Sequence, residues 1–242
     1  MSEPATLEFI FNGISEDEVV FPHGDILSDK LPLESDLHRD QIDLPIRILK
    51  LWWRERQDFY AFGNLTIYYS PNQKKSEKFR GSDFFVVLGT QKKDRKSWVV
   101  WQEDGNYPNL IVKILSSSTA AADKGLKKQV YQDTFRTQDY FWFDSVTMEF
   151  QGFHLVDGEY QEIILTTDGR LWSQQLELYL GVYEGKLRFF TTENQLILSS
   201  EELAEQERLR AQQAEERAQQ AEEEITRLRE VLRTQGIEPE NI

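Results

Sequence analysis

The chain contains no cysteine at all. That excludes disulfides and thiolate metal sites, and it removes any covalent signature of an oxidising compartment. No hydrophobic run approaches the length of a membrane span. The first ten residues, MSEPATLEFI, lack the basic start and apolar stretch of a secretory leader. The expectation is a cytoplasmic protein with no membrane partner. A glycine-rich phosphate loop, a nucleophile elbow and a His-x-x-x-His pair are also missing, which leaves out several common hydrolase and nucleotide-binding chemistries.

What is present suits a packed fold. Of 242 residues, 39% are hydrophobic and 12% aromatic, including six Trp. Length allows one sizeable domain plus an appendage. The formal net charge is −14, which by itself argues against a nucleic-acid partner. Its distribution argues otherwise. Residues 74–128 hold twelve Lys or Arg against six acids, a local +6 inside a chain whose remainder carries −20. Such a zone can attract phosphates. It can equally serve only to keep Lys-rich turns soluble.

Residues 1–34 read as polar and irregular. Ser35 is placed to cap a helix running towards Arg54, with Leu44, Ile48, Leu51 and Trp52 at helical spacing and Pro45 predicting a kink or a late start. A β-rich stretch follows. Phe59–Phe62 and Leu65–Tyr69 flank Gly63-Asn64 as a hairpin would. Phe84–Leu88, Trp98–Gln102, Leu110–Leu115 and Tyr140–Phe143 read as further strands. A helix from Ser118 or Thr119 carries Leu126, Val130 and Tyr131. Residues 147–198 read as a β meander with turns at Asp157-Gly158, Asp168-Gly169 and Glu184-Gly185.

Composition changes near Ser199, giving domains 1–198 and 199–242. Ala211–Arg217 (AQQAEER) is nearly repeated by Ala218–Glu224 (AQQAEEE), a heptad repeat. With Ile225 at position a, Ala204, Ala211 and Ala218 also fall at a, while Ala214, Ala221 and Leu228 fall at d. Leu232 extends the seam and Glu207 interrupts it at d. A coiled coil that joins copies of the chain and a solvated single helix held by local charge pairs are both compatible with this pattern.

Three features carry chemistry. Asp83 stands at the mouth of the apolar strand Phe84-Phe85-Val86-Val87. Lys113 interrupts the apolar run Leu110–Leu115, where alternation puts it on one face with Ile111 and Leu115. A lysine there must snorkel, pair or lose its proton. Lys124, Lys127 and Tyr131 share a helical face that suits a phosphate oxygen or only solvent. Glu34 and His38 lie at or before the first helix, where a cap or solvated role is the ordinary one. His23 and His154 have no partners at ligand spacing. Trp98, Trp101, Phe141 and Trp142 alternate within strands, as core aromatics do.

Gly81-Ser-Asp83-Phe-Phe-Val-Val-Leu-Gly, Trp98-Val-Val-Trp101 and Tyr107-Pro-Asn-Leu-Ile-Val-Lys113-Ile-Leu-Ser together resemble the Uma-type restriction endonuclease family of the PD-(D/E)xK nuclease superfamily. The similarity continues through Ser118-Thr-Ala-Ala-Ala-Asp-Lys-Gly-Leu-Lys127-Lys-Gln-Val-Tyr131 and Tyr140-Phe-Trp-Phe-Asp144, covering about Leu31 to Leu198. The resemblance implies an α/β (α+β) fold, a restriction-endonuclease-like core with a mixed central sheet flanked by helices, followed by a long C-terminal helix. It implies a metal-dependent DNA endonuclease in which Asp83 holds Mg²⁺ or Mn²⁺ and Lys127 supplies the helix lysine. Two positions depart from the family pattern. Ser82 replaces the usual proline, and Lys113 replaces the second acid. An ammonium about 4 Å from a divalent ion is repelled by about 8 kcal/mol at an effective dielectric near 20. The expectation is that the Lys113 ammonium takes the metal's place against Asp83. The catalytic set carried over is therefore Asp83, Lys113 and Lys127, with DNA reached through the basic 74–128 zone if at all.

Overall fold

A computed structural model describes residues 36–74, 77–115 and 123–236. Ser35, Glu34 and His23, and the start of the helix expected from Ser118 or Thr119, lie outside them.

Helix α1 spans Asp36–Trp52. Its apolar positions Ile42, Ile46 and Leu49 recur at helical spacing and are buried. Pro45 neither delays nor ends the helix, which is already underway nine residues earlier. A proline there has no N–H to give the Gln41 carbonyl. Burial of Ile42 on one side of it and Ile46, Ile48 and Leu49 on the other holds the helix through the defect.

Among the described residues, ten strands follow in two sheets. In the main one, β1 (Phe59–Tyr68), β2 (Phe79–Leu88), β3 (Trp98–Val99), β4 (Leu110–Leu115), β5 (Asp139–Asp144), β6 (Phe150–Val156) and β7 (Glu159–Glu162) are ordered β3-β1-β2-β4-β5-β6-β7. β4 and β5 run parallel, as do β1 and β3, and the other neighbours are antiparallel, so the sheet is mixed. β8 (Arg170–Ser173), β9 (Leu178–Tyr183) and β10 (Lys186–Phe190) form a second, antiparallel sheet. The expected meander is thus shared between two sheets. Asp157 with Gly158, and Glu184 with Gly185, have positive φ at both turn positions, the geometry two-residue hairpins favour.

Gly63-Asn64 is not a turn. β1 runs through it as one strand because the flanking halves pair with β2 in a single register, Phe59↔Leu88 through Tyr68↔Phe79. The polar stretch Phe79–Asp83, which supplies the lower half of that partner, carries no strand pattern of its own. Asn64 absorbs the local distortion with φ 53°, a conformation asparagine tolerates better than most residues. The strand expected over Trp98–Gln102 stops at Val99 and passes into a 3₁₀ turn, Val100–Gln102.

Between the parallel strands β4 and β5 lies helix α2, made of three joined pieces. Asp123–Lys127 and Tyr131–Phe135 are π-helical, and Lys128–Val130 is α-helical. The wider π turns rotate residues away from α spacing; Tyr131 and Phe135 are buried, and Leu126 is 66% exposed.

Strand alternation sorts the core onto the two faces of the main sheet. One face carries Phe84, Val86, Val112, Ile114, Phe141 and Phe143, covered by α1 and the second sheet. The other carries Phe85, Val87, Ile111, Leu115, Tyr140 and Trp142, covered by Tyr131 and Phe135 of α2.

The last described element is helix α3, Ser200–Thr234, which at 1.5 Å per residue is about 52 Å long. Ser199 and Glu202 form a reciprocal capping box at its start. Glu202 also receives both arms of the buried Arg188 at 2.7 and 2.6 Å, and Glu201 pairs with Arg47 at 2.9 Å. Beyond that first turn the helix is almost entirely exposed. Among the described residues, no helix is long and apolar enough to cross a membrane.

Candidate active site

The β2–β4 register runs Val86↔Leu110, Phe85↔Ile111 and Phe84↔Val112. One step further sets Asp83 opposite Lys113. Both follow the alternation of Phe85 and Ile111, and so project to the face that α2 covers. Lys113 Nζ donates to Asp83 Oδ1 at 2.6 Å, and the Ile114 backbone N–H donates to Oδ2 at 2.8 Å. The side chains are 5% and 15% exposed. The carboxylate thus serves as counter-ion to a buried ammonium and as the acceptor for a backbone N–H at the end of the ladder.

Gly63 sets the other wall. A Cβ there would lie 2.4 Å from the Asp83 carbonyl oxygen, 2.6 Å from Ile42 Cγ2 and 2.8 Å from Ile46 Cδ1. Only a glycine lets α1 press this closely onto the strand pair carrying Asp83.

The described start of α2 lies at the same end of the sheet as Lys113, since Lys124 rests on Trp142, the β5 partner of Lys113. Lys127 is half-buried where the first π turn passes into the short α-helical piece. Lys124 Nζ sits 4.0 Å from the ring centre of Trp142 and 3.0 Å from Glu149. Trp142 is the β5 partner of Lys113. Asp144, beside Leu115 in the same register, caps the β5–β6 turn. Burial opposes its ionisation, but the Val146 and Thr147 N–H groups outweigh that and hold its carboxyl below the ordinary range. His38 lies half-buried in the early turns of α1.

These donors do not suit a divalent ion. Magnesium and manganese take several oxygen ligands, whereas both oxygens of Asp83 are engaged and the opposing residue is a cation. Among the described residues no three His, Cys, Asp or Glu side chains cluster in a metal-holding arrangement.

The basic zone does not form one stripe. Lys92, Lys93 and Arg95 join Lys50 around a cleft of about 420 Å³ floored by Phe59, Tyr60 and Phe62. There Arg95 stacks over Tyr60 and Trp98 at 4.6 and 4.8 Å and grips Glu103 at 2.7 and 2.8 Å. Burial, then the nearby Lys92, lowers the Lys50 pKa. Lys128 sits 3.4 Å over Phe153, and Lys74 pairs with Glu77 near the β1–β2 connection.

One cluster escaped the sequence reading. His154 has a partner after all, since its Nδ1 lies 2.7 Å from Oδ1 of the fully buried Asp139. Asp139 Oδ2 accepts from Ser173 Oγ at 2.6 Å and from the Gln175 N–H at 3.0 Å, which joins the two sheets. The link depends on the β5–β6 register, Asp139↔His154, and no spacing along the chain announces it. The carboxylate, not the imidazole, is the middle member here, so the geometry differs from a nucleophile–base–acid triad.

A family model, Uma2, described as "Putative restriction endonuclease", matches residues 15–188. Among solved structures, one described as a "putative nuclease belonging to DUF820" from Anabaena variabilis ATCC 29413 is similar at 12% identity and a TM-score of 0.44, covering 60% of this chain and 76% of that one. No curated protein matches.

Proposed function

The chain belongs to the Uma2 family, and from that premise we propose that it is a nuclease-fold DNA-binding protein whose metal-dependent hydrolysis has lapsed. The observation that carries this reading is the 2.6 Å contact between Lys113 Nζ and Asp83 Oδ1. Hydrolysis of a phosphodiester by a divalent ion requires anionic oxygens to hold that ion. In this chain the second acidic position has become the counter-ion of the first. The pair keeps the strands closed and the site electrically balanced, and it leaves Lys124 and Lys127 at the same end of the sheet to meet phosphate oxygens. On this reading the partner is DNA, bound in the cytoplasm, and copies of the chain associate through α3.

A second reading, an active Mg²⁺- or Mn²⁺-dependent endonuclease, draws on family membership and on the retention of Asp83 and Lys127. Plasmid relaxation separates the two. The lapsed-site reading expects salt-sensitive DNA binding without nicking in either metal. It also expects Lys113→Glu to gain a metal-dependent rise in melting temperature, because two facing carboxylates bind the ion that the parent repels. Nicking by the parent, abolished by Asp83→Ala, establishes the active enzyme instead.

A further inference from the structure

The charges flanking the α3 seam carry information about how it is occupied. With Ile225 at position a, the g and e positions from residue 210 to 229 read Arg210, Glu215, Arg217, Glu222, Glu224 and Arg229. In a parallel, in-register pair each g residue faces the e residue five positions later on the other copy. That sets Arg210 against Glu215, Arg217 against Glu222 and Glu224 against Arg229, all opposite in sign. Antiparallel alignments, which set g against g and e against e, do worse. With Arg217 facing Arg217, Glu215 also faces Glu215 although Arg210 meets Glu224; one heptad further Glu215 faces Glu222; and with Ile225 facing Leu228 only Glu222 and Arg229 are matched.

Among the described residues none of these six charges has an ion-pair partner. The ion pair within α3 joins Glu205 to Arg208, one turn before the seam, and Arg210, Arg217 and Arg229 have no carboxylate partner among the described residues. The seam itself is open, with Ile225 47% and Leu228 52% exposed. Glu207, at a d position, falls just beyond the turn that Arg188 and Arg47 tie to the core. The closed seam accordingly starts at Ala211 and runs to Leu232, about 32 Å.

Building on the reading of α3 as the point of self-association, we propose that its occupant is a second copy of this chain. The two helices form a parallel, in-register coiled coil from Ala211 to Leu232, with both cores at the same end. Alanine fills most of the seam, so the charges set its direction while Ile225, Leu228 and Leu232 provide most of the buried area.

Sedimentation of the full chain, without DNA and with Asp83 and Lys113 untouched, tests this separately from the nuclease reading. The expected result is a reversible dimer at tens of micromolar. Arg217→Glu, which sets Glu against Glu222 twice, shifts it to monomer, and adding Glu222→Arg restores the dimer. Restoration excludes misfolding as the cause. Because the chain has no other cysteine, Leu232→Cys reports direction: a disulfide-linked dimer forms under mild oxidation only if the two C-terminal ends lie together. A monomeric parent, a dimer indifferent to Arg217→Glu, a double variant that stays monomeric, or a Leu232→Cys dimer that does not cross-link overturns the proposal.

Discussion

Asn64 and Asp83 stand opposite each other at the one step where the β1–β2 ladder lets go, between Gly63↔Phe84 and Leu65↔Ser82. The acid at the centre of the candidate site therefore has a distorted strand on one side, with Asn64 at φ 53°, and a buried lysine on the other. Gly63, next to that step, tolerates no side chain. Gly63→Ala is expected to lose about 1–3 kcal/mol from overpacking against the Asp83 carbonyl, Ile42 and Ile46. Urea unfolding measures the loss, and an unchanged midpoint contradicts the tight approach of α1.

Removing one member of the Lys113–Asp83 pair strands the other in a buried place. Asp83→Ala should cost about 3–5 kcal/mol, since the ammonium loses this counter-ion and the Ile114 N–H its acceptor. Asp83→Ala with Lys113→Met should recover most of it, because no charge is then left uncompensated. A double variant as unstable as the single one would mean that backbone closure, and not charge, dominates the site.

Carboxylates held by hydrogen bonds make stability sensitive to acid. Hydrogen bonds from Arg95 hold Glu103 below the ordinary glutamate range, and those from Arg188 do the same for Glu202. For a depressed carboxyl, stabilisation is fully present above the unfolded pKa of about 4.3 and is lost as pH falls through the lower folded value. Stability should hold from neutrality to about pH 5 and decline below it. Glu103→Gln should flatten part of that decline. Glu202 is more exposed, and solvent screening makes its share smaller.

If DNA meets the Lys124 end of the sheet, Lys124→Ala should weaken binding uniformly across sequences and reduce the slope of log affinity against log salt by about one. Lys92→Ala, in the separate cleft beside β1, should leave that slope alone. Equal effects would mean that the basic zone acts as one surface.

Features set by local pattern were legible beforehand. Leu110–Leu115 is a strand with the bounds expected of it, the glycine turns at 157–158 and 184–185 are hairpin tips, and the Glu/Gln/Arg/Ala stretch is one helix starting at Ser200. Alternation was enough to put Lys113 beside Ile111 and Leu115. Features set by pairing between distant segments were not. The continuity of β1 depends on a polar partner strand, the Asp139–His154–Ser173 link on two registers, and the passage of α1 through Pro45 on burial that local propensity does not reflect. The heptads read from sequence say which residues line a seam, and the exposure of Ile225 and Leu228 shows that it faces no part of the described chain.

The brevity of β3 has one more consequence. It pairs only with Ile67 and Tyr68, so the Phe59–Phe62 end of β1 has no strand on its outer side among the described residues. Along that bare margin stand Lys50, Lys92, Lys93 and Arg95, and the opposite margin of the sheet, β7, carries Glu159 and Glu162. An edge of like sign is repelled by Lys92 and Lys93 on one side, or by Glu159 and Glu162 on the other, before its backbone can pair. Joining two copies through borders of the same sign is thereby disfavoured, and the two borders of the sheet are left electrically unlike.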